Sequence, residues 1–318
     1  MRWFPRRFAT TSPSTPISTP DPRHPVVASL VVAAVLLWAM AVATLAGFGL
    51  AILDLGIPLA EFDVADGLTW IRSRLLVLGG LQWLAFVPTA LWLGRWLGYD
   101  RTSLGLSALR PLNTAGAGLA LGVALLLVPA SLGRLLGGFE DAAPLFALPT
   151  WVAAAAILAV MAMGEEILFR GILLRIWRDR LGDRGALVLT TLLFAALHSG
   201  NPNVGVLGVL GVLLAGALLG LAALRSGGLW WPFGIHLGWN AAGGLLLGLP
   251  VSGLNLPSPV RWIPASESQS LWGGAFGPEA GVVFHTALLV GIVIVAAAPF
   301  RVSGARSHPP AESTIVSL

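Results

Sequence analysis

The sequence has no cysteine and no lysine, and few of its 318 residues carry a charge. The missing cysteine excludes disulfides, thiolate metal sites and a cysteine nucleophile. Charged residues make up 11% of the chain, against about 25% in soluble domains. Hydrophobic residues make up 56%, and the mean hydropathy is +0.83. This composition excludes a soluble globular enzyme and a disordered chain.

The nineteen basic residues are all arginines, and the formal net charge is +4. In a soluble protein such an excess of positive charge would suggest a nucleic-acid surface. Here the arginines lie between long apolar runs, where they are better explained as topology markers in the loops of a membrane protein. We therefore expect the lipid bilayer as a partner and no nucleic acid.

Eight apolar stretches are candidates to cross about 30 Å of hydrocarbon. They lie at 26–53, 74–95, 114–136, 150–174, 185–202, 204–224, 229–249 and 280–298. The sequence thus predicts an all-α polytopic membrane protein with about eight transmembrane helices. Residues 26–299 would form a single transmembrane domain. A disordered tail at 1–25, rich in Pro, Ser and Thr, would precede it, and a polar tail at 300–318 would follow it.

The arginines also predict the orientation of these helices. If the N-terminus is cytoplasmic, most arginines fall in cytoplasmic segments, whereas acidic residues such as Asp54, Glu61 and Glu267 fall in external ones. The positive-inside rule requires such a bias in short loops. We predict that both termini are cytoplasmic and that the loops at 54–73 and 250–279 are external.

Glycine pairs four residues apart predict close packing between helices. Such spacing lets two backbones approach in a membrane. The pairs are Gly118/Gly122, Gly216/Gly220, Gly234/Gly238 and Gly244/Gly248.

The fourth stretch carries Glu165, Glu166 and Arg170 in an otherwise apolar helix. Each charge at the middle of a membrane helix costs about 2.5–3.5 kcal/mol on insertion scales. Glu166 and Arg170 are four residues apart and can pair on one face, whereas Glu165 lies about 100° further round the helix. A structural ion pair beside a protonated Glu165 is the alternative interpretation. Intramembrane charges by default indicate function.

Two further stretches place polar side chains at a similar depth. The fifth carries His198, and the seventh carries His236 and Asn240 on one helix face. Counted from the nearest cytoplasmic arginines, Glu165, His236 and His198 lie at most about 15, 16 and 21 Å deep. A single membrane histidine usually makes an interhelical hydrogen bond, which is the role we expect for His285. Three ionisable groups in one layer indicate a site instead.

A carboxylate, two imidazoles and an amide suit hydrolysis. The carboxylate can take a proton from water, and the other groups can donate to the oxyanion that develops on a carbonyl oxygen. The same groups could instead hold a divalent metal that acidifies water. The zinc motif H-E-x-x-H is absent. The G-x-S-G pattern of serine intramembrane proteases and a membrane-embedded G-x-G-D pattern are also absent.

Three motifs, in this order and on separate apolar stretches, resemble those of the CPBP family of intramembrane proteases. They are E-E-x-x-x-R at Glu165–Arg170, F-x-x-x-H at Phe194–His198 and H-x-x-x-N at His236–Asn240. The family includes the Rce1-type CAAX prenyl endopeptidases and bacterial bacteriocin-processing and immunity relatives. The resemblance covers residues from about 150 to 249.

The resemblance implies an all-helical membrane fold with a cavity open toward the cytoplasmic side. It implies that Glu165 is the general base that activates a water molecule, that His198 helps to bind this water, and that the site has an oxyanion hole. The implied set is Glu165, Glu166, Arg170, His198, His236 and Asn240, with His236 and Asn240 in the oxyanion hole and Glu166 and Arg170 orienting the others. The family is often described as metalloproteases, yet Glu and His placed this way can work without metal. Zinc or another divalent cofactor therefore stays open.

The predicted function is hydrolysis of a peptide bond in a membrane-bound or lipidated protein. Composition and family distribution indicate a bacterial plasma membrane, where a prenylated substrate is not expected. Two other functions would use the same groups: a non-catalytic immunity or scaffold protein, and a proton-coupled transporter with Glu165 and the two histidines as relay. The intact set of motif residues favours hydrolysis, and the absence of a visible internal repeat counts against transport.

Overall fold

The computed structural model describes residues 94–107, 110–144 and 146–299 and isolated earlier positions (27, 30, 31, 34, 79, 80, 83, 87, 88, 91 and 92). This part is mostly helical, as the sequence predicts. In chain order its elements are α1 (Pro111–Leu135), β1 (Phe139–Asp141), α2 (Leu148–Glu166), a π-helix (Ile167–Leu173), α3 (Leu174–His198), α4 (Val206–Ser226), α5 (Trp230–Asn240), a second π-helix (Ala241–Leu246), β2 (Trp262–Pro264), a 3-10 helix (Ser266–Ser268), α6 (Gln269–Trp272), a second 3-10 helix (Pro278–Ala280) and α7 (Val282–Ala297).

Three helical segments in the described part are long and apolar enough to cross a membrane. They are Pro111–Leu135, Leu148–His198 and Val206–Ser226. The shorter apolar helix Val282–Ala297 matches the last predicted stretch. The two predicted tails and most of the stretches 26–53 and 74–95 lie outside the described residues. The count of eight helices and their orientation therefore stay predictions.

The 51-residue segment Leu148–His198 covers two predicted stretches, 150–174 and 185–202. Gly182 separates them with φ +67° and ψ 178°. A side chain is disfavoured at this positive φ, so glycine permits the break in the helix. The fourth and fifth predicted helices are thus two arms on either side of Gly182.

Helices α1 and α5 pack backbone to backbone through two of the predicted glycine pairs. A Cβ added at Gly118 would collide with the backbone of Trp231 and Ile235 on α5. A Cβ added at Gly234 or Gly238 would collide with the backbone of α1 around Leu119. The absence of side chains at these positions is therefore what permits the close approach, as in other small-xxx-small interfaces.

Loops that the sequence assigns to one side of the membrane lie together. On the predicted cytoplasmic side, the Leu229 amide donates to the Gly105 carbonyl at 2.9 Å. On the predicted external side, β1 pairs antiparallel with β2, with Phe139 opposite Pro264. This short ribbon is a departure from the predicted all-α fold, and it arises because two irregular loops satisfy part of their backbone by pairing.

Candidate active site

Glu166 and Arg170 form the ion pair that their spacing predicts. Glu166 is the last residue of α2, and Arg170 lies in the π-helix that follows. Arg170 Nη1 lies 3.1 Å from Glu166 Oε1, and the two side chains are 1% and 0% exposed. Arg170 Nη2 also donates to the Gly216 carbonyl of α4 at 3.3 Å. The pair therefore joins α4 to the end of α2 inside the bundle.

His236 on α5 binds the same carboxylate. Its Nδ1 lies 2.9 Å from Glu166 Oε1. Because that oxygen also accepts from Arg170, we assign Glu166 as the acceptor and the proton to Nδ1. A hydrogen bond at one ring nitrogen sets the role of the other. Nε2 of His236 is thus the ring nitrogen that remains available to interact with Glu165.

Glu165 faces both histidines. Its Oε2 lies 3.9 Å from Nε2 of His198 and 3.9 Å from Nε2 of His236. Both separations are too long for a direct hydrogen bond. Oε2 is buried and makes no hydrogen bond to any residue in the described part of the chain. A water molecule between these three atoms is the usual solution for polar groups at such a separation.

Phe194 positions His198, although the sequence did not single it out as a site residue. Nδ1 of His198 lies 2.8 Å from the Phe194 carbonyl oxygen, which can only accept, so Nδ1 donates. The two rings lie 4.3 Å apart between centroids. Arg170 Cζ lies 4.6 Å from the centroid of Phe194 on another side. The first residue of the F-x-x-x-H motif thus links the ion pair to the histidine.

Asn240 and the two histidines line one cavity. Its volume is about 40 Å³, counted as the space open to the centres of water molecules. One water needs roughly 10–15 Å³ of such space, so the cavity has room for water beside the polar groups. The lining residues are Phe194, His198, Val212, Ala215, Leu218, Leu219, Ile235, His236, Trp239, Asn240, Ser252, Glu279 and Leu288. Glu165 approaches the histidines without lining this cavity.

Glu279 is a carboxyl group at this cavity that the sequence did not predict for the site. It lies in the second 3-10 helix and is 5% exposed. Its Oε1 accepts from Trp239 Nε1 at 3.0 Å, and its Oε2 lies 3.5 Å from the Ser252 amide. Burial raises the pKa of this carboxyl, which lies outside the candidate membrane-spanning segments. No sequence motif identifies Glu279 as a site residue, because it lies in an irregular segment that is predicted to be an external loop.

His285 has the structural role expected of a lone membrane histidine. Its Nε2 lies 2.8 Å from the Glu279 carbonyl oxygen, and the side chain is buried. The same carbonyl is in close contact with Gly211 of α4, where a Cβ would collide with it. His285 and Gly211 together fix the backbone at Glu279 against the helices.

The geometry does not fit a zinc site as it stands. Ligand atoms about 2.1 Å from a tetrahedral zinc lie about 3.4 Å from one another, whereas both Glu165–histidine separations are 3.9 Å. Among the residues that the structure describes, no group of three or more His, Asp or Glu side chains is arranged to hold a metal ion.

A family model matches the part of the chain that contains this site. Residues 147–242 match the family model described as type II CAAX prenyl endopeptidase Rce1-like. An uncharacterized 24.3 kDa protein of Escherichia coli is 40% identical over 84 residues, which are 26% of this chain and 37% of that relative. The chain thus spans little more than a third of the relative's length, and no solved structure matches it. The segment that carries all three motifs, residues 147–242, thus matches the Rce1-like family, which confirms the predicted resemblance over that segment.

Proposed function

We propose that this protein is an intramembrane endopeptidase in which Glu165 activates the attacking water. The observation that carries the proposal is the position of Glu165 Oε2. This atom is buried, has no hydrogen bond among the described residues, and lies 3.9 Å from Nε2 of both His198 and His236. A buried carboxylate oxygen without a partner is costly. A water molecule held between the three atoms would relieve that cost and would be next to a base.

The reaction follows from the hydrogen bonds of the histidines. Nδ1 of His198 is used by Phe194, so Nε2 of a neutral ring offers a lone pair to the water. Glu165 removes a proton from this water, and the water oxygen attacks the carbonyl carbon of the peptide bond. When the C–N bond breaks, the proton on Glu165 passes to the leaving amine.

His236 and Asn240 would stabilise the oxyanion that forms between these two steps. Both line the cavity. The Asn240 amide makes no hydrogen bond to another described residue, so its NH₂ group can donate. Nε2 of His236 donates when the ring is protonated, and the adjacent Glu166 balances the imidazolium charge. Preorganised donors of this kind are a major source of rate acceleration. Arg170 has a positioning role, because it holds Glu166.

The substrate would be a membrane-bound or lipidated protein of a bacterial plasma membrane. The candidate spans and the Rce1-like segment indicate an integral membrane protein. We propose that the substrate enters from the cytoplasmic side. Ser252 and Glu279 support this direction. They line the cavity and come from the segment predicted to be external, so that segment would cover the cavity on the external side.

Comparative membrane proteomics of cells that carry wild type or Glu165→Ala tests the proposal. We expect at least one membrane protein to accumulate uncleaved in the variant and to be cut by the purified wild-type protein. Glu140→Ala is the matched control, because Glu140 is an exposed carboxylate in β1. A membrane proteome that is the same in all three strains would contradict hydrolysis and would favour a non-catalytic partner-binding role.

A further inference from the structure

Glu279 is a buried carboxyl group whose hydrogen bonds in the described part of the chain come from neutral donors. The donors are the Trp239 indole at 3.0 Å and the Ser252 amide at 3.5 Å. No described arginine or histidine side chain forms an ion pair with it. Glu166, by contrast, is compensated by both Arg170 and His236. A buried carboxylate needs such a partner or a proton.

This carboxyl shares one cavity with the groups proposed to perform hydrolysis. Glu279 lines the cavity together with His198, His236 and Asn240. The residue that binds its carboxyl, Trp239, directly precedes Asn240 on α5. Glu279 lies outside the segment 147–242 that matches the Rce1-like model.

The wall between the two polar regions is apolar. Helices α3, α4, α5 and α7 contribute the side chains of Phe194, Val212, Ala215, Leu218, Leu219, Ile235 and Leu288. An extended chain of methylene groups would pack well against such a wall, as the stems of lysine and arginine do on apolar surfaces. A charge at the end of that chain would form a charge-assisted hydrogen bond with a carboxylate.

We infer that the cavity receives a cationic side chain of the substrate, a lysine or arginine beside the cleaved bond, whose charged end pairs with Glu279. The inference rests on the proposed function and adds the substrate class. The apolar wall contacts the methylenes, and the Glu279 carboxylate binds the ammonium or guanidinium group. The substrate backbone next to this side chain then lies beside His236 and Asn240. Glu279 is thus a specificity-determining residue.

The test is binding of n-butylammonium, which has the length and charge of a lysine side chain, to the full-length protein in detergent. Its neutral control is n-butanol. A ligand that binds only the folded state raises the melting temperature, so thermal shift against ligand concentration gives both affinities. We expect wild type to bind n-butylammonium more tightly than n-butanol. Glu279→Gln should weaken n-butylammonium binding by about tenfold or more. Glu267→Gln, which removes an exposed carboxylate of the same segment, should leave the affinity for n-butylammonium unchanged.

Equal binding of n-butylammonium by wild type and Glu279→Gln would overturn the inference. If Glu279→Gln does not fold, wild type alone decides, because equal affinities for the amine and the alcohol would show that the carboxyl is compensated by a proton. Failure of hydrolysis is recognised separately. If wild type binds n-butylammonium but no protein accumulates in Glu165→Ala cells, the inferred cation pocket stands and the proposed peptidase activity is wrong. If proteins are cleaved but have no lysine or arginine beside the cleaved bond, the peptidase activity stands and the inferred cation pocket is wrong.

Discussion

Replacing Arg170 by alanine is expected to destabilise the fold much more than replacing Glu165. Arg170 and Glu166 are 1% and 0% exposed and lie 3.1 Å apart, so the substitution leaves a buried carboxylate without its arginine. Breaking a buried pair in this way costs about 3–5 kcal/mol. Glu165 Oε2, in contrast, is buried without a hydrogen bond to a described residue. Glu165→Ala removes a desolvated polar atom that makes no such contact, and it should raise stability rather than lower it.

Thermal denaturation of the purified protein in detergent measures this difference. Arg134→Ala is the matched control, because Arg134 forms an exposed ion pair with Asp141, and such pairs contribute only about 0–1 kcal/mol. Adding Glu166→Gln to Arg170→Ala should restore part of the loss, since no charged carboxylate then remains unpaired. Equal destabilisation by Arg170→Ala and Glu165→Ala would refute the reasoning. Glu165 would then be structural, and its assignment as the base would lose its main support.

Three other predictions concern mechanism, topology and cofactor. Glu165→Gln, His198→Ala and His236→Ala should each abolish cleavage of a confirmed substrate at near-normal membrane abundance, and double variants should be little worse because the groups act as a unit. Substantial activity in Glu165→Gln would show that the base is a different group. A cysteine introduced at Ser103, in a chain with no native cysteine, should react with an impermeant thiol reagent only after the cells are opened. Reaction in intact cells would reverse the predicted topology. A strong zinc chelator such as 1,10-phenanthroline should leave the cleavage rate unchanged. A loss of activity that added zinc restores would establish a metal mechanism.

The sequence predicted one contact of the candidate site, the Glu166–Arg170 pair, but not the geometry around it. Spacing alone gave the Glu166–Arg170 pair, because residues four apart on a helix are neighbours. Adjacent glutamates on different faces were also predictable, and the structure turns Glu165 toward the histidines while Glu166 binds Arg170. What brings His198 and His236 within 3.9 Å of Glu165 is tertiary packing. The sequence indicated only that they lie at a similar depth.

The π-helices could not be predicted. Ile167–Leu173 begins inside the first motif, directly after Glu166, and Ala241–Leu246 directly follows Asn240 of the third. Such π segments are frequent at functional sites. A stretch that is apolar on every side has no periodicity from which its helical pitch can be inferred. Residues 167–173 are all buried, so burial does not distinguish one face from another either.

Glu279 escaped prediction for a different reason. Its approach to Trp239 depends on contacts between distant parts of the chain, with Gly211 of α4 making room for its backbone. Such contacts leave no local pattern, and the flanking glycines and prolines resemble those of any loop. Phe194 was visible in its motif, but its contact with Arg170 required the fold.

The glycine interface between α1 and α5 restricts how a substrate can reach the site. Side-chain contacts can be remodelled by rotamer changes, but here backbone lies on backbone at Gly118, Gly234 and Gly238, so α5 cannot slide or rotate against α1 without collision. His236 and Asn240 therefore lie on a helix that is held closely against α1. Entry of a polypeptide into the cavity would therefore require displacement of the other helical walls, α3, α4 and α7. Under the proposed function, those elements would move when a substrate enters, and α1 with α5 would be the fixed frame.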